Sequence, residues 1–123
     1  MNTYRNLSTY IAAKGLVRDI YQVINNFPIE ERYALCDQLR RAVISVPSNI
    51  AEGLSRTSEK EQLHFLEIAY GSLMEVQCQI DIATDLNYMT NIQFEILNKQ
   101  IENLAKMLTG LQNIRKKTVA CSQ

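Results

Sequence analysis

The chain has 123 residues, a mass of 14.1 kDa, and 13 basic and 13 acidic residues, so its formal net charge is zero. With 46% apolar and 21% charged residues, it has the composition of one folded domain, which excludes a disordered or fibrous protein. Four Gly and two Pro are too few for the turns of an all-β domain, and the neutral charge excludes a strongly basic nucleic-acid binder, though not a local basic patch.

The first predicted helix spans about residues 3–26, where apolar side chains recur every three or four positions. Pro28 ends this helix and suits the first turn of the next one, whose positive end favours the negative charges of Glu30 and Glu31. Because the turn at Phe27–Pro28 is so short, the sequence predicts that the first two helices are antiparallel neighbours.

The second predicted helix spans about residues 29–53, and its apolar residues form a stripe within an arc of about 120°. Pro47 lies within it, removes one backbone hydrogen bond and crowds the carbonyl of Val43, so a kink or a local break is expected there. Gly53 is the expected C-terminal stop.

Two capping boxes mark the starts of the remaining helices. Ser58-Glu59-Lys60-Glu61 predicts a third helix over about residues 59–86, and Thr90-Asn91-Ile92-Gln93 predicts a fourth over about residues 91–116. Residues 117–123 are expected to be frayed. Four long helices with short connections predict an all-α fold, an antiparallel up-down-up-down four-helix bundle that forms a single domain over residues 1–123.

The third and fourth predicted helices carry more apolar surface than one bundle core can bury. Their apolar residues cover an arc of about 180°, whereas a bundle helix needs somewhat more than about 100°. The surplus favours self-association, since large exposed apolar patches mark association sites. A bundle with some exposed apolar residues is the simpler alternative.

The charges are unevenly distributed along the chain. Residues 58–89 hold six acids and one base, residues 90–123 hold five bases and two acids, and residues 1–26 hold three bases and one acid. This pattern favours docking of acidic against basic helices, within or between subunits.

Targeting and redox signals favour a cytoplasmic protein. The first ten residues lack the apolar core of a signal peptide, and no run approaches the ~20 apolar residues of a membrane span. Cys36, Cys78 and Cys121 are an odd number without the spacing of a zinc site or a disulfide framework. Cys36 is expected to be a small core residue.

The sequence offers little for catalysis or for a cofactor. His64 is the only histidine and falls on the polar arc of the third helix, so we expect it at the surface. Glu61 and His64 match the Glu-x-x-His unit of di-iron bundles, but such a site needs a second unit that the chain lacks. We therefore predict no enzyme activity, no metal and no cofactor.

One polar group stands out on the second helix. Away from the apolar stripe, six residues lie within about 100° of arc: Arg41, Ser45, Ser48, Asn49, Glu52 and Arg56. Such a face has three interpretations: an ordinary solvent-exposed surface, a polar contact between subunits, or a phosphate-binding site that uses Arg41 and Arg56.

This stretch carries a family resemblance. The segments Gln38–Ala42 and Ser45–Gly53, followed by Arg56, resemble the four-helix-bundle proteins encoded by intervening sequences of bacterial 23S rRNA genes, which often carry a ribosomal-protein-like label. The resemblance continues through Phe65–Glu75 and covers about residues 4–115. It implies an antiparallel four-helix bundle that assembles as a homopentamer, without catalysis or a cofactor. The accessory protein of diversity-generating retroelements is similar in fold; it is strongly basic and binds nucleic acid.

The leading hypothesis is a non-enzymatic oligomeric module that binds RNA or an RNA-associated protein. The alternative is a structural or protein-interaction assembly without nucleic-acid affinity. Two sets of residues are candidates for the contact. The first is the polar face with its neighbour, Arg40, Arg41, Ser45, Asn49, Glu52 and Arg56. The second is a basic tail, Lys106, Arg115, Lys116 and Lys117.

Overall fold

The computed structural model describes residues 3–121, which form four α-helices and contain no β-strand. The helices are α1 (Ser8–Ile24), α2 (Leu35–Leu54), α3 (Glu59–Asp85) and α4 (Asn91–Cys121). Helices that follow one another in the chain pack together, and α1 also packs against α4, which closes an antiparallel four-helix bundle. The predicted all-α bundle is confirmed.

The helix boundaries differ from the predictions in three places. A 3-10 helix at Thr3–Asn6 precedes α1, and another at Ile29–Glu31 precedes α2, which therefore begins six residues later than expected. Proline and early acidic residues also suit a 3-10 turn, so the start signals did not distinguish the two structures. α4 continues to Cys121, so the predicted fraying of residues 117–121 is wrong; residues 122 and 123 lie outside the described range.

Pro47 does not break α2, which runs as one helix from Leu35 to Leu54. The proline ring is buried, so its contacts offset part of the lost hydrogen bond. Gly53 does not stop the helix either. A methyl group added at Gly53 would lie 2.9 Å from Cβ of Phe65 and 3.2 Å from the carbonyl oxygen of Gln62. Gly53 therefore permits the close approach of α2 and α3.

The capping box at the start of α4 forms in full, and at the start of α3 the serine half of the predicted box forms. Ser58 Oγ accepts a hydrogen bond from the Glu61 amide at 3.2 Å. At α4 the exchange is reciprocal: the Gln93 amide donates to Thr90 Oγ1 at 3.1 Å, and the Thr90 amide donates to Gln93 Oε1 at 3.0 Å. These bonds satisfy backbone donors that the first helical turn leaves free.

The two turns at one end of the bundle pack on each other. Phe27 is buried and its ring lies 5.6 Å from the ring of Tyr88. The Tyr88 hydroxyl donates to Glu31 Oε2 at 2.8 Å, and this hydrogen bond raises the pKa of Tyr88. Glu31 Oε1 also accepts from the Leu35 amide at 3.3 Å, at the start of α2. Asn87 has a left-handed φ of 65°, which asparagine tolerates better than most residues.

The core contains one row of fully buried aliphatic side chains from each helix. Its largest members are Leu16, Ile20, Leu39, Ile50, Leu66, Leu73, Ile80, Ile101, Leu104 and Leu108. Cys36 is buried among them, as expected, and burial raises the pKa of its thiol.

Among residues 3–121 ten large apolar side chains are exposed, and five of them lie on α3 or α4. The ten are Ile11, Ile29, Tyr33, Ile44, Ile68, Ile82, Leu86, Ile92, Ile96 and Ile114. The wide apolar arc predicted on the third helix is buried or half-buried, so its apolar residues do not form the expected exposed surplus.

Candidate nucleic-acid interface

The polar face predicted on the second helix divides into an inner and an outer part. Ser45 and Asn49 are half-buried and face α3: Ser45 Oγ lies 2.8 Å from Ser72 Oγ, and Asn49 Nδ2 donates to Ser45 Oγ at 2.9 Å. Asn49 Nδ2 also donates to the Ser45 carbonyl at 2.8 Å. This part is a contact between helices of one chain, which was not among the three interpretations of the face.

The charged members of the face are tied to their neighbours. Arg40 and Arg41 each lie 3.7 Å from the Asp37 carboxylate, and Arg40 Nη2 also donates to the Arg32 carbonyl at 2.8 Å. Arg41 is largely exposed, as is Ser48. The chain therefore does not bring these six residues together as one free polar surface.

Glu52 and Arg56 form an ion pair at the end of α2. The Arg56 guanidinium carbon also lies 4.9 Å from the centre of the Phe65 ring, within range of a cation–π contact. Arg56 and Arg115 converge on Gln62: its side-chain amide donates to the Arg56 carbonyl at 2.7 Å, and its oxygen accepts from Arg115 Nε at 2.9 Å. Helix α2 and the basic tail thus meet at one end of the bundle.

The rest of the predicted basic tail lies on the exposed surface of α4. Lys106, Lys116 and Lys117 are exposed, and none has an ion-pair partner among residues 3–121. Arg115 differs from them because it is half-buried and also donates to the Leu111 carbonyl at 3.0 Å. The three lysines are therefore available for contacts outside the chain, whereas Arg115 is mainly structural.

Three contacts between helices lie near the middle of the bundle: Ser45–Ser72, Gln77–Asn98 and Asp19–Gln100, each at 2.8 Å. A cut at the level of the Ser45–Ser72 contact divides the described chain into two halves, and the antiparallel register of the other two contacts extends this cut to α4 and α1. The half made of residues 3–15, 46–71 and 105–121 contains eight basic and four acidic residues, a net charge of +4. The other half contains five basic and nine acidic residues, a net charge of −4. The neutral chain therefore has a basic and an acidic end.

The basic end gathers cations from all three segments of that half. They are Arg5, Lys14, Arg56, Lys60, Lys106, Arg115, Lys116 and Lys117. Sequence reasoning found the tail on the fourth helix but not Arg5, Lys14 or Lys60. Their proximity depends on the antiparallel order, which places the start of the first and third helices beside the end of the second and fourth.

The remaining surfaces show no metal centre. Among residues 3–121, no group of three or more His, Cys, Asp or Glu side chains could hold a metal ion. His64 is exposed, as predicted, with its ring edge against Phe65. Within the same range, no helix has the length and apolar character of a membrane span.

Comparison with known proteins shows which family the chain belongs to. The model of the 23S rRNA-intervening sequence protein family matches residues 5–110. The chain belongs to this family. The resemblance carried by the second and third helices is thereby confirmed.

A solved relative has the same fold as this family member. It is a protein of unknown function from the S23 ribosomal protein family of Bacteroides thetaiotaomicron, and it superposes with a TM-score of 0.76 at 20% identity. The match covers 85% of this chain and 97% of the other. No curated protein matches the sequence.

Proposed function

We propose that the protein is a non-enzymatic, homo-oligomeric helical module that binds RNA through its basic end. The observation that supports this most directly is the separation of charge, with a net +4 on one half of a neutral chain. Lysine and arginine attract nucleic acid chiefly through its phosphates, and this attraction depends on local charge density rather than on the net charge of the protein.

Self-association strengthens this proposal, and the assembly we propose is a homopentamer. In a cyclic ring every copy has the same orientation relative to the axis, so the basic ends are repeated around the ring. A repeated +4 surface would offer several phosphate contacts to one RNA strand. The exposed apolar residues of α3 and α4 support association of copies.

We also propose a cytoplasmic location. All three cysteines are free, which fits a reducing compartment, and a cytoplasmic protein has access to RNA.

The alternative function is a structural or protein-interaction assembly without RNA affinity. The −4 half favours it, because acidic surface repels phosphate and would restrict RNA to one end of each copy.

A salt titration of RNA binding tests the proposal and separates the two functions. Fluorescence anisotropy with a labelled single-stranded RNA should give a dissociation constant in the non-specific range, roughly 10⁻⁴ to 10⁻⁶ M at physiological salt, and much tighter binding at low salt. Replacing Lys106, Lys116 and Lys117 with Ala should flatten the slope of log K against log[salt] by about 2, at about 0.7 per lost phosphate contact.

The matched control removes three positive charges from the other half of the molecule, at Arg32, Arg41 and Lys99. These residues are exposed, as the three lysines are. The control should leave the salt slope within about 0.5 of that of the original protein, since one contact accounts for about 0.7. If both variants flattened the salt slope equally, binding would depend on the overall charge and not on the basic end. No binding at ~50 mM salt would favour the structural assembly.

A further inference from the structure

An apolar groove of about 460 Å³ lies between α1 and α2 on the outside of the bundle. Val17, Ile44, Pro47 and Ala51 contribute its apolar surface, and Ile44 is 44% exposed. The groove is called the α1/α2 groove below. A groove with these walls can accept apolar side chains from a partner.

Two cations also line the α1/α2 groove. They are Lys14, whose Nζ lies 5.2 Å from the centre of the Tyr10 ring, and Arg18, which is exposed and has Asp19 at 3.6 Å. No acidic side chain lines it. The occupant that complements the groove is therefore apolar with acidic neighbours.

Such a surface exists on the outward side of α3. The residues Ile68, Gly71, Glu75, Cys78 and Ile82 follow a spacing of three and four, so they form one row along the helix, called the α3 outer stripe below. All five are exposed, with Ile68 at 39% and Ile82 at 45%. A methyl group added at Gly71 would have no atom within 4 Å, so no contact within the chain requires this glycine.

The surroundings of the α3 outer stripe are acidic. After Lys60, α3 carries Glu61, Glu67, Glu75, Asp81 and Asp85 and no lysine or arginine. None of these carboxylates lies within ion-pair distance of a cation in residues 3–121. The uneven charge of the helices allowed acidic and basic helices to dock within or between subunits, and within residues 3–121 no ion pair joins α3 to another helix.

The α1/α2 groove and the α3 outer stripe point in different directions. Helix α3 packs on α2 and α4, while α1 lies diagonally across the bundle from it. One chain therefore cannot place its own stripe in its own groove. Two copies can dock the stripe of one in the groove of the other, and the pair then still has one free groove and one free stripe. This is a head-to-tail arrangement, which generates a ring when it closes.

We infer that the α3 outer stripe of one copy docks in the α1/α2 groove of the next copy. The isoleucines fill the apolar groove, and the acids of α3 approach Lys14 and Arg18. This inference rests on the self-association proposed above, and its test measures assembly without RNA.

The isoleucines of α4 are the competing surface. Ile92, Ile96 and Ile114 are more exposed than those of α3. Around Ile92 and Ile96 the charges alternate in sign, in the order Glu95, Lys99, Glu102 and Lys106, and Ile114 is followed by the basic run Arg115–Lys117. Neither set of charges complements the cations of the groove. These isoleucines supply the control.

Two variants that each block one surface test the inference. Ile82→Arg puts a cation into the stripe, and Ile44→Arg puts a long charged side chain into the groove. Both positions are exposed, so both variants should fold, which circular dichroism checks. Light scattering should find each variant monomeric at 14.1 kDa while the original protein assembles.

Mixing the two variants is the decisive measurement. The Ile82→Arg copy keeps its groove and the Ile44→Arg copy keeps its stripe, so the mixture should form a one-to-one dimer of twice the monomer mass that grows no further. The control Ile96→Arg on α4 should assemble like the original protein.

Each of the other outcomes would overturn either the proposed self-association or the proposed interface. An original protein that is monomeric at micromolar concentration would overturn self-association and with it the proposed oligomeric module. An assembled original protein with assembled Ile82→Arg or Ile44→Arg would overturn only this interface. Two monomeric variants whose mixture stays monomeric would overturn the pairing of stripe with groove, as would a control that dissociates.

Discussion

Two rows of side chains on α3 have the same spacing of seven residues and opposite surroundings. The inner row, Phe65, Ser72 and Gln79, meets α2 at Gly53, Ser45 and Gln38 respectively. The outer row, Ile68, Glu75 and Ile82, is exposed. The row with two polar members is the more enclosed one, and the row with two isoleucines faces outward.

This contrast shows that polarity alone does not separate inward from outward positions in a four-helix bundle. A polar side chain is tolerated between helices when a partner satisfies it, as Ser45 does for Ser72. An isoleucine is tolerated outside when association covers it or when the cost of exposure is small. The three predictions below test the inner row against the outer one.

The largest difference is expected between two glycines: Gly53, which lies against the inner row, and Gly71, which lies in the α3 outer stripe. Gly53→Ala should lower the free energy of unfolding by about 2 kcal/mol, because the new methyl group would force α2 away from Phe65 and the Gln62 carbonyl. Gly71→Ala should raise it by about 0.5–1 kcal/mol, because alanine favours a helix and meets no atom there. Urea unfolding at matched protein concentration measures both.

The essential result is that the two substitutions change the free energy of unfolding in opposite directions. If Gly53→Ala were neutral, α2 and α3 would separate easily, and the close packing of the inner row would not contribute to stability. If Gly71→Ala were destabilising, a contact outside the chain would have to approach the glycine.

Much of the fold could be predicted from the sequence because its signals are local. The capping boxes at Ser58 and Thr90 need only three neighbouring residues; both residues cap their helices, and the box at Thr90 forms in full. The apolar seam of the fourth helix, which includes Leu97, Ile101 and Leu104, is buried as its period predicts. The exposed position of His64 followed from the same period.

The candidate site was predicted less well because it depends on how the helices are arranged. The arc that holds Ser45 and Asn49 could be computed, but not that α3 would lie against it. The basic end likewise needed the antiparallel order before Arg5 and Lys60 could be placed near Lys116. Local signals also failed where two structures share them, as in the 3-10 turn at Ile29–Glu31.

The second prediction concerns the hydroxyl pair in the inner row. Ser45→Ala removes the contact with Ser72 and one bond from Asn49, so it should cost about 1–2 kcal/mol and leave the Ser72 hydroxyl without that partner. The double variant Ser45→Ala/Ser72→Ala should cost no more than the single one, because neither hydroxyl is then left unpaired.

Ser48 supplies the matched control for this pair. It lies on α2 three residues from Ser45 and is exposed, so Ser48→Ala should change the stability by less than about 0.5 kcal/mol. Additive costs in the double variant would mean that the two hydroxyls do not interact, which would contradict their assignment to a contact between helices.

The smallest effect is expected at Gln79, where the two rows of α3 are connected. Gln79 is 6% exposed, its side-chain oxygen is buried without a hydrogen bond, and its amide makes only long bonds, 3.5 Å to Gln38 and 3.3 Å to Glu75. Gln79→Met should therefore raise the free energy of unfolding by about 0.5 kcal/mol, because it removes an unsatisfied polar atom at similar volume. Gln38 and Glu75 are exposed, so water can replace the hydrogen bonds that they lose. The charge of Glu75 is unchanged, so light scattering should find the same assembly as in the original protein. A loss of more than about 1 kcal/mol would show that the amide bonds hold the inner row together, and a loss of assembly would show that Gln79 also positions Glu75 in the outer stripe.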